Sequence, residues 1–230
     1  MKEQFNAELN LREKILVITG FIVGFVFEYI DEFILASTRE GPDIFPSYIS
    51  YWDTYILLAI NPGLYNPYLA YVCVAISYIA GTAGMFYLSL ILYATGRKKD
   101  SLLLFITLIL GSIILLPLKL AIPRYRPYGT NSEVITIIRQ AGNSFPSGHV
   151  SRGFELVALF DRKSKKIGLL LYAYAVSVAL SRLYLGVHYP IDVLAGAIIG
   201  WITGKIVLKY QKQLINRVSR MLRLPTVSSR

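Results

Sequence analysis

Residues 67–95 run for 29 positions without a charged side chain. A helix rises about 1.5 Å per residue and needs about 20 apolar residues to cross the hydrocarbon core, so this stretch predicts a transmembrane helix. Residues 101–118, 18 uncharged positions ending at Lys119, predict a second span, and the basic turn 96–100 joins the two. Composition points the same way: 54% of the residues are hydrophobic and only 17% are charged, so the net charge of +10 does not describe a solvated nucleic-acid binder. No nucleic-acid partner is expected. The one cysteine, Cys73, excludes an intrachain disulfide framework and a cysteine-based metal site.

The first apolar stretch, residues 15–27, is prolonged by Tyr29, Ile30, Phe33, Ile34 and Leu35, while Glu28, Asp31 and Glu32 form an acidic stripe at helical spacing. It predicts a helix that crosses and then emerges, and mixed-charge residues before it argue against a cleaved signal. Residues 167–181 and 193–204 reach membrane length when Arg182, Asp192 and Lys205 lie near their ends. The segment after Pro146 is interrupted by Arg152 and Glu155, and hydropathy alone misses it. Charge restores it, because the basic clusters 97–99, 162–166 and from Lys209 onward share one face only if another span precedes Asp161.

The expected architecture is therefore all-α, an integral membrane bundle of six transmembrane helices over residues 1–210 with both termini cytoplasmic. Residues 37–66 form an outer loop with a short interfacial helix near residues 51–60, placed to cover a substrate entrance. The tail, residues 211–230, is basic and amphipathic, with Leu214, Ile215, Val218, Met221 and Leu222 on one face, which suits an anchor on an anionic inner leaflet. Gly196, Gly200 and Gly204 recur every fourth residue and predict close helix packing.

Ionisable residues at the membrane edge are costly and are function candidates. Here they fall in three segments: Lys119 to Arg126-Pro127, then Pro146-Ser147-Gly148-His149, then Ser181-Arg182, His188 and Asp192. Both histidines of the chain belong to this set. With six spans all three segments reach the outer face. Lys119, Arg126 and Arg182 are three cations suited to a phosphoryl group, the guanidinium forks matching its oxygens. Ser147-Gly148 can open a helix whose free N–H groups add anion donors. His188 and Asp192 lie four apart, so the carboxylate can hold one ring nitrogen and leave the other to attack, with His149 as proton donor.

Taken singly, each residue has a plainer reading. The three cations can snorkel to headgroups and the histidines can be packed polar residues. Ser147 reads as a helix cap and backbone donor, having no neighbour placed as its base. Arg124 and Arg139 read as headgroup contacts, Arg152 and Glu155 as a mutual pair, and the acidic stripe as a solvated helix end.

The pattern Lys-x6-Arg-Pro, Pro-Ser-Gly-His and Ser-Arg-x5-His-x3-Asp resembles the signature of the type 2 phosphatidic acid phosphatase superfamily, with eleven matching identities over about a third of the chain. The resemblance implies a metal-independent phosphatase with no cofactor. In it His188 becomes transiently phosphorylated, Asp192 supports it, His149 acts as acid, and Lys119, Arg126, Arg182, Ser147 and Gly148 bind the phosphate. The expected substrate is a phosphorylated membrane lipid (phosphatidate, phosphatidylglycerol phosphate, or polyprenyl or dolichyl diphosphate), hydrolysed at the extracytoplasmic face of the cell membrane. Two alternatives stand beside it: a lipid phosphotransferase, and a transporter or binder of anionic lipids that uses the cationic cradle without chemistry.

Overall fold

A computed structural model describes residues 19–20, 41–42 and 44–221. The expected first span and the acidic stripe lie outside the described residues. Among the described residues every regular element is a helix: α1 (Ser47–Ile60), α2 (Pro67–Ile79), α3 (Thr82–Ala94), α4 (Lys98–Ala121), α5 (Pro127–Thr130), α6 (Gly148–Phe160), α7 (Lys165–Tyr184), α8 (Pro190–Lys209) and α9 (Gln211–Met221).

Local chemistry sets the boundaries. Asn66 caps α2 by accepting from Tyr68 N at 2.9 Å and Leu69 N at 3.2 Å, with Pro67 in the first turn, where its missing N–H costs nothing. Ser164 caps α7 through Ile167 N at 3.1 Å. Gly96, at φ +79°, takes the left-handed conformation that ends α3 and lets Arg97 N bond back to Leu92 O at 2.8 Å.

Among the described residues three helices, α4, α7 and α8, are long and apolar enough to cross a membrane. The 29-residue uncharged run is not one helix. It breaks at Ala80 and Gly81 into α2 and α3, bent by 56°. Gly81 is extended, and Ala80 N turns back to Ser77 and Tyr78, so the i to i−4 ladder stops there. The segment expected to span after Pro146 is a helix, but a short one: the 13 residues of α6 rise about 20 Å against a hydrocarbon core of about 30 Å. It sits inside the bundle, with every residue from Val150 to Phe160 except Phe154 buried. Its polar side chains therefore face protein, and hydropathy overlooks it.

The glycine ladder explains how α6 is enclosed. A Cβ at Gly196 would meet the Ser147 carbonyl, one at Gly200 the Ser151 carbonyl, and one at Gly204 the Ala158 side chain. Helix α8 thus lies directly on the backbone of α6. Leu103, Leu104 and Leu108 of α4, Val150 and Leu156 of α6, Val178 of α7 and Val207 of α8 close the main core. On the outside, Leu194, Ile198, Trp201 and Ile202 form an exposed stripe along α8, an apolar face that suits lipid rather than water. Helix α9 sets part of its apolar face on the bundle: Ile215 is buried in the main core, with Leu214 and Val218 packed against it.

The helices alternate in direction and give the molecule two distinct ends. One carries the starts of α4 and α7 and the end of α8, where Asp100 pairs with Arg97 at 2.7 Å and with Lys163, and Lys205 pairs with Asp161 at 3.2 Å. At the other, Asn61 ties α1 to the irregular segment 131–147 and to α7: it donates to Ile135 O at 2.7 Å and Tyr184 O at 2.6 Å and accepts from Ile135 N at 2.7 Å.

Candidate active site

The second end gathers the three motif segments. Lys119 lies in the last turn of α4, Arg126 immediately before α5, Ser147, Gly148 and His149 at the start of α6, and Arg182 in the last turn of α7. His188 follows in the short α7–α8 connection, and Asp192 sits in the first turn of α8. Backbone contacts join these pieces: Ser147 N donates to Asp192 O at 3.0 Å, and Arg126 Nη1 to Val187 O at 3.0 Å. His149, half-buried, is within electrostatic reach of Arg182, Arg152, His188 and Arg126.

Each cation is held by oxygens of segment 140–143. Lys119 Nζ donates to Asn143 O at 2.8 Å, while Asn143 Nδ2 donates back to Lys119 O at 2.8 Å. Arg126 donates through Nε to Gly142 O at 3.0 Å and through Nη2 to Ala141 O at 2.9 Å. Gln140 Oε1 accepts from both guanidiniums, Arg182 Nη2 at 2.6 Å and Arg126 Nη1 at 3.4 Å. All three cations are at least nine-tenths buried, a concentration of positive charge that favours a multivalent anion.

His188 faces this cluster. Its Nδ1 lies 3.6 Å from Asp192 Oδ2, beyond hydrogen-bond length, which leaves Nε2 as the nitrogen turned away from the carboxylate. Burial, reinforced by the charges of Arg126, Arg182 and Lys119, holds the imidazole well below its ordinary range. Asp192 is fully buried. Its Oδ2 accepts from Tyr189 N at 2.8 Å and its Oδ1 from Arg124 Nη1 at 2.7 Å.

A family model described as the PAP2 superfamily matches residues 100–216. The chain belongs to the PAP2 superfamily. Among its relatives, the bacitracin transport permease protein BcrC of Bacillus licheniformis is 42% identical over 77 residues, 33% of this chain and 38% of that protein. The undecaprenyl-diphosphatase BcrC of Bacillus subtilis is 28% identical over 130 residues, 56% of this chain and 67% of that protein. The matched stretch thus spans little more than a third of the first relative and two thirds of the second. The fold is similar to that of the crystal structure of the first transmembrane PAP2 type phosphatidylglycerolphosphate phosphatase from Bacillus subtilis, with a TM-score of 0.65, 22% identity, and coverage of 84% of this chain and 96% of that one.

Within this PAP2 site two sequence expectations change. Arg124 is no headgroup contact: it is fully buried and bonded to Asp192. Ser147 does occupy the N-cap of α6, yet its buried Oγ makes no cap hydrogen bond and has no partner, while its N–H donates to Asp192 O. Glu155 packs against Gly111 and accepts from Ser151 Oγ at 3.2 Å, and it lies within electrostatic reach of Arg152, in keeping with the expected pair.

Four contributors escape the PAP2 motif: Asp53, Arg124, Gln140 and Asn143. A signal for Arg124 was present. Residues before prolines favour extended backbone, whose side chains alternate, so Arg124 and Arg126 share one side while Tyr125 between them is exposed. Gln140 and Asn143 lie in irregular backbone with no periodicity to reveal them.

Proposed function

We propose that this chain is a metal-independent lipid phosphatase that hydrolyses a phosphomonoester or diphosphate on a membrane lipid through a phosphohistidine. The observation that carries the reading is the convergence of Lys119, Arg126 and Arg182 around His188, with Asp192 behind it. The cations bind the phosphoryl oxygens, aided by the unpartnered Ser147 hydroxyl and the N–H of Gly148 at the start of α6. His188 Nε2 attacks phosphorus, Asp192 steadies the ring through Nδ1, and His149 protonates the leaving oxygen. Water then attacks the phosphohistidine with His149 as base. The undecaprenyl-diphosphatase similarity favours a polyprenyl diphosphate over phosphatidate or phosphatidylglycerol phosphate.

The same reading has six spans, both termini cytoplasmic and the site at the outer face of the cell membrane. Its support is the separation of the basic end, with Arg97, Lys163 and Lys205, from the site end. A transporter is the second reading: the Bacillus licheniformis relative is named a bacitracin transport permease protein, and here the buried cations Lys119, Arg126 and Arg182 favour an anionic lipid as cargo.

The test is phosphate release by detergent-purified protein in EDTA from phosphatidate, phosphatidylglycerol phosphate and undecaprenyl diphosphate, beside His188→Ala. Release that persists in EDTA and disappears in the variant is expected. No release by folded wild-type protein, or release equal in the variant, overturns the reading and moves the weight to phosphotransfer or transport.

A further inference from the structure

Arg124 stands outside the motif, yet both prongs of its guanidinium are committed. Nη1 donates to Asp192 Oδ1 and Nη2 to Asp53 Oδ2, each at 2.7 Å. The rings of Phe45 and Tyr189 cover it, their centroids 4.7 and 4.1 Å from Cζ. Asp53, buried on α1, also accepts from Ile191 N at 2.9 Å, in the first turn of α8. The result is a carboxylate–guanidinium–carboxylate bridge from α1 to the residue behind His188.

The assignment of oxygens gives the bridge its meaning. Arg124 takes the Asp192 oxygen that does not face His188, and Tyr189 N takes the one that does. Two donors on opposite oxygens fix the plane of the carboxylate, and a planar fork held by two acids and packed against two rings has little freedom of its own. We propose that Arg124 is a positioning residue, with Asp53 as its second anchor, that sets Asp192 against His188 Nδ1 and makes helix α1 part of the active site. This rests on reading His188 as the nucleophile. Arg124 acts through Asp192, not on the phosphoryl group.

Removing Arg124 altogether leaves two buried carboxylates uncompensated and endangers folding, so milder variants are needed. In Arg124→Lys a single ammonium replaces the fork. Asp53→Asn keeps the shape and an acceptor for Ile191 N but removes the far charge. Two measurements are made on each: kcat and KM with the lipid from the panel that wild type hydrolyses fastest, and the ring 15N resonances of the chain's two histidines in detergent micelles. His149→Gln assigns the pair.

Arg124→Lys is expected to lower kcat on the order of 10–100-fold, as loss of an outer orienting partner does, with KM unchanged. Asp53→Asn gives a smaller fall in kcat. In both, the His188 resonances move and those of His149 stay. A fall in kcat with His188 resonances unmoved, or no change in either quantity, overturns the proposal. Should wild type release phosphate from none of the lipids, the functional reading fails separately, and the His188 resonances alone decide: movement sustains the positioning role, and no movement ends it.

Discussion

As the proposed nucleophile, His188 places the sharpest demand on its surroundings, because the attacking form of an imidazole is the neutral one. Burial and three neighbouring cations favour that form and lower the pKa below the ordinary 6.5. The acid limb of kcat/KM, divided by the ionised fraction of the substrate, is therefore expected below pH 6.5; a limb at or above that value contradicts a neutral His188 in the free protein. Linkage has the same sign. The unfolded chain binds this proton more readily, so the contribution of His188 to stability is intact above pH 6.5 and is lost as pH falls toward its folded-state value. At this scale the sequence was informative about identity and poor about partnership. The spacing of His188 and Asp192 could be read directly, whereas the bond from Arg124 to Asp192 joins residues 68 apart and depends on how α8 seats against the segment before α5.

Helix α6 is the clearest case of an element that patterning alone conceals. Its Ser151, Arg152 and Glu155 interrupt the apolar run, and only the need to keep the basic clusters together argued for it. The glycine repeat was the readable half of the same feature, since small residues every fourth position signal a close neighbour without naming it. That neighbour is α6. Gly200→Ala should force its Cβ into the Ser151 carbonyl and cost about 1–3 kcal/mol, lowering the thermal unfolding midpoint in detergent. Gly129→Ala, with nothing within 4 Å of its added Cβ, is the control and should leave the midpoint in place. Equal midpoints would mean that α8 can retreat from α6 without loss. The α2–α3 break was invisible for a related reason: hydropathy counts uncharged residues and is indifferent to whether Ala80 and Gly81 continue the ladder.

At the scale of the molecule, polarity between the two ends is the organising fact, and it sets a topological expectation. In a Cys73→Ala background, a membrane-impermeant maleimide on intact cells should label Glu133→Cys, exposed at the site end. Lys166→Cys, exposed at the basic end, should react only after the membrane is opened. Labelling of both from one side would sink the two-ended arrangement. The helical class was legible because lipid imposes simple rules on length and charge, and the family because three motifs keep their residues and spacings; the segment 131–147 was not, since its course is fixed by individual hydrogen bonds such as those of Asn61. That segment also changes how binding works. With carbonyl oxygens of Ala141, Gly142, Asn143 and Val187 and the Gln140 amide oxygen already on Lys119, Arg126 and Arg182, the cations are desolvated and coordinated before any lipid arrives. On the proposed reading, capture of a phosphoryl group is a ligand exchange, oxygen for oxygen, and release is the return of the protein's own ligands.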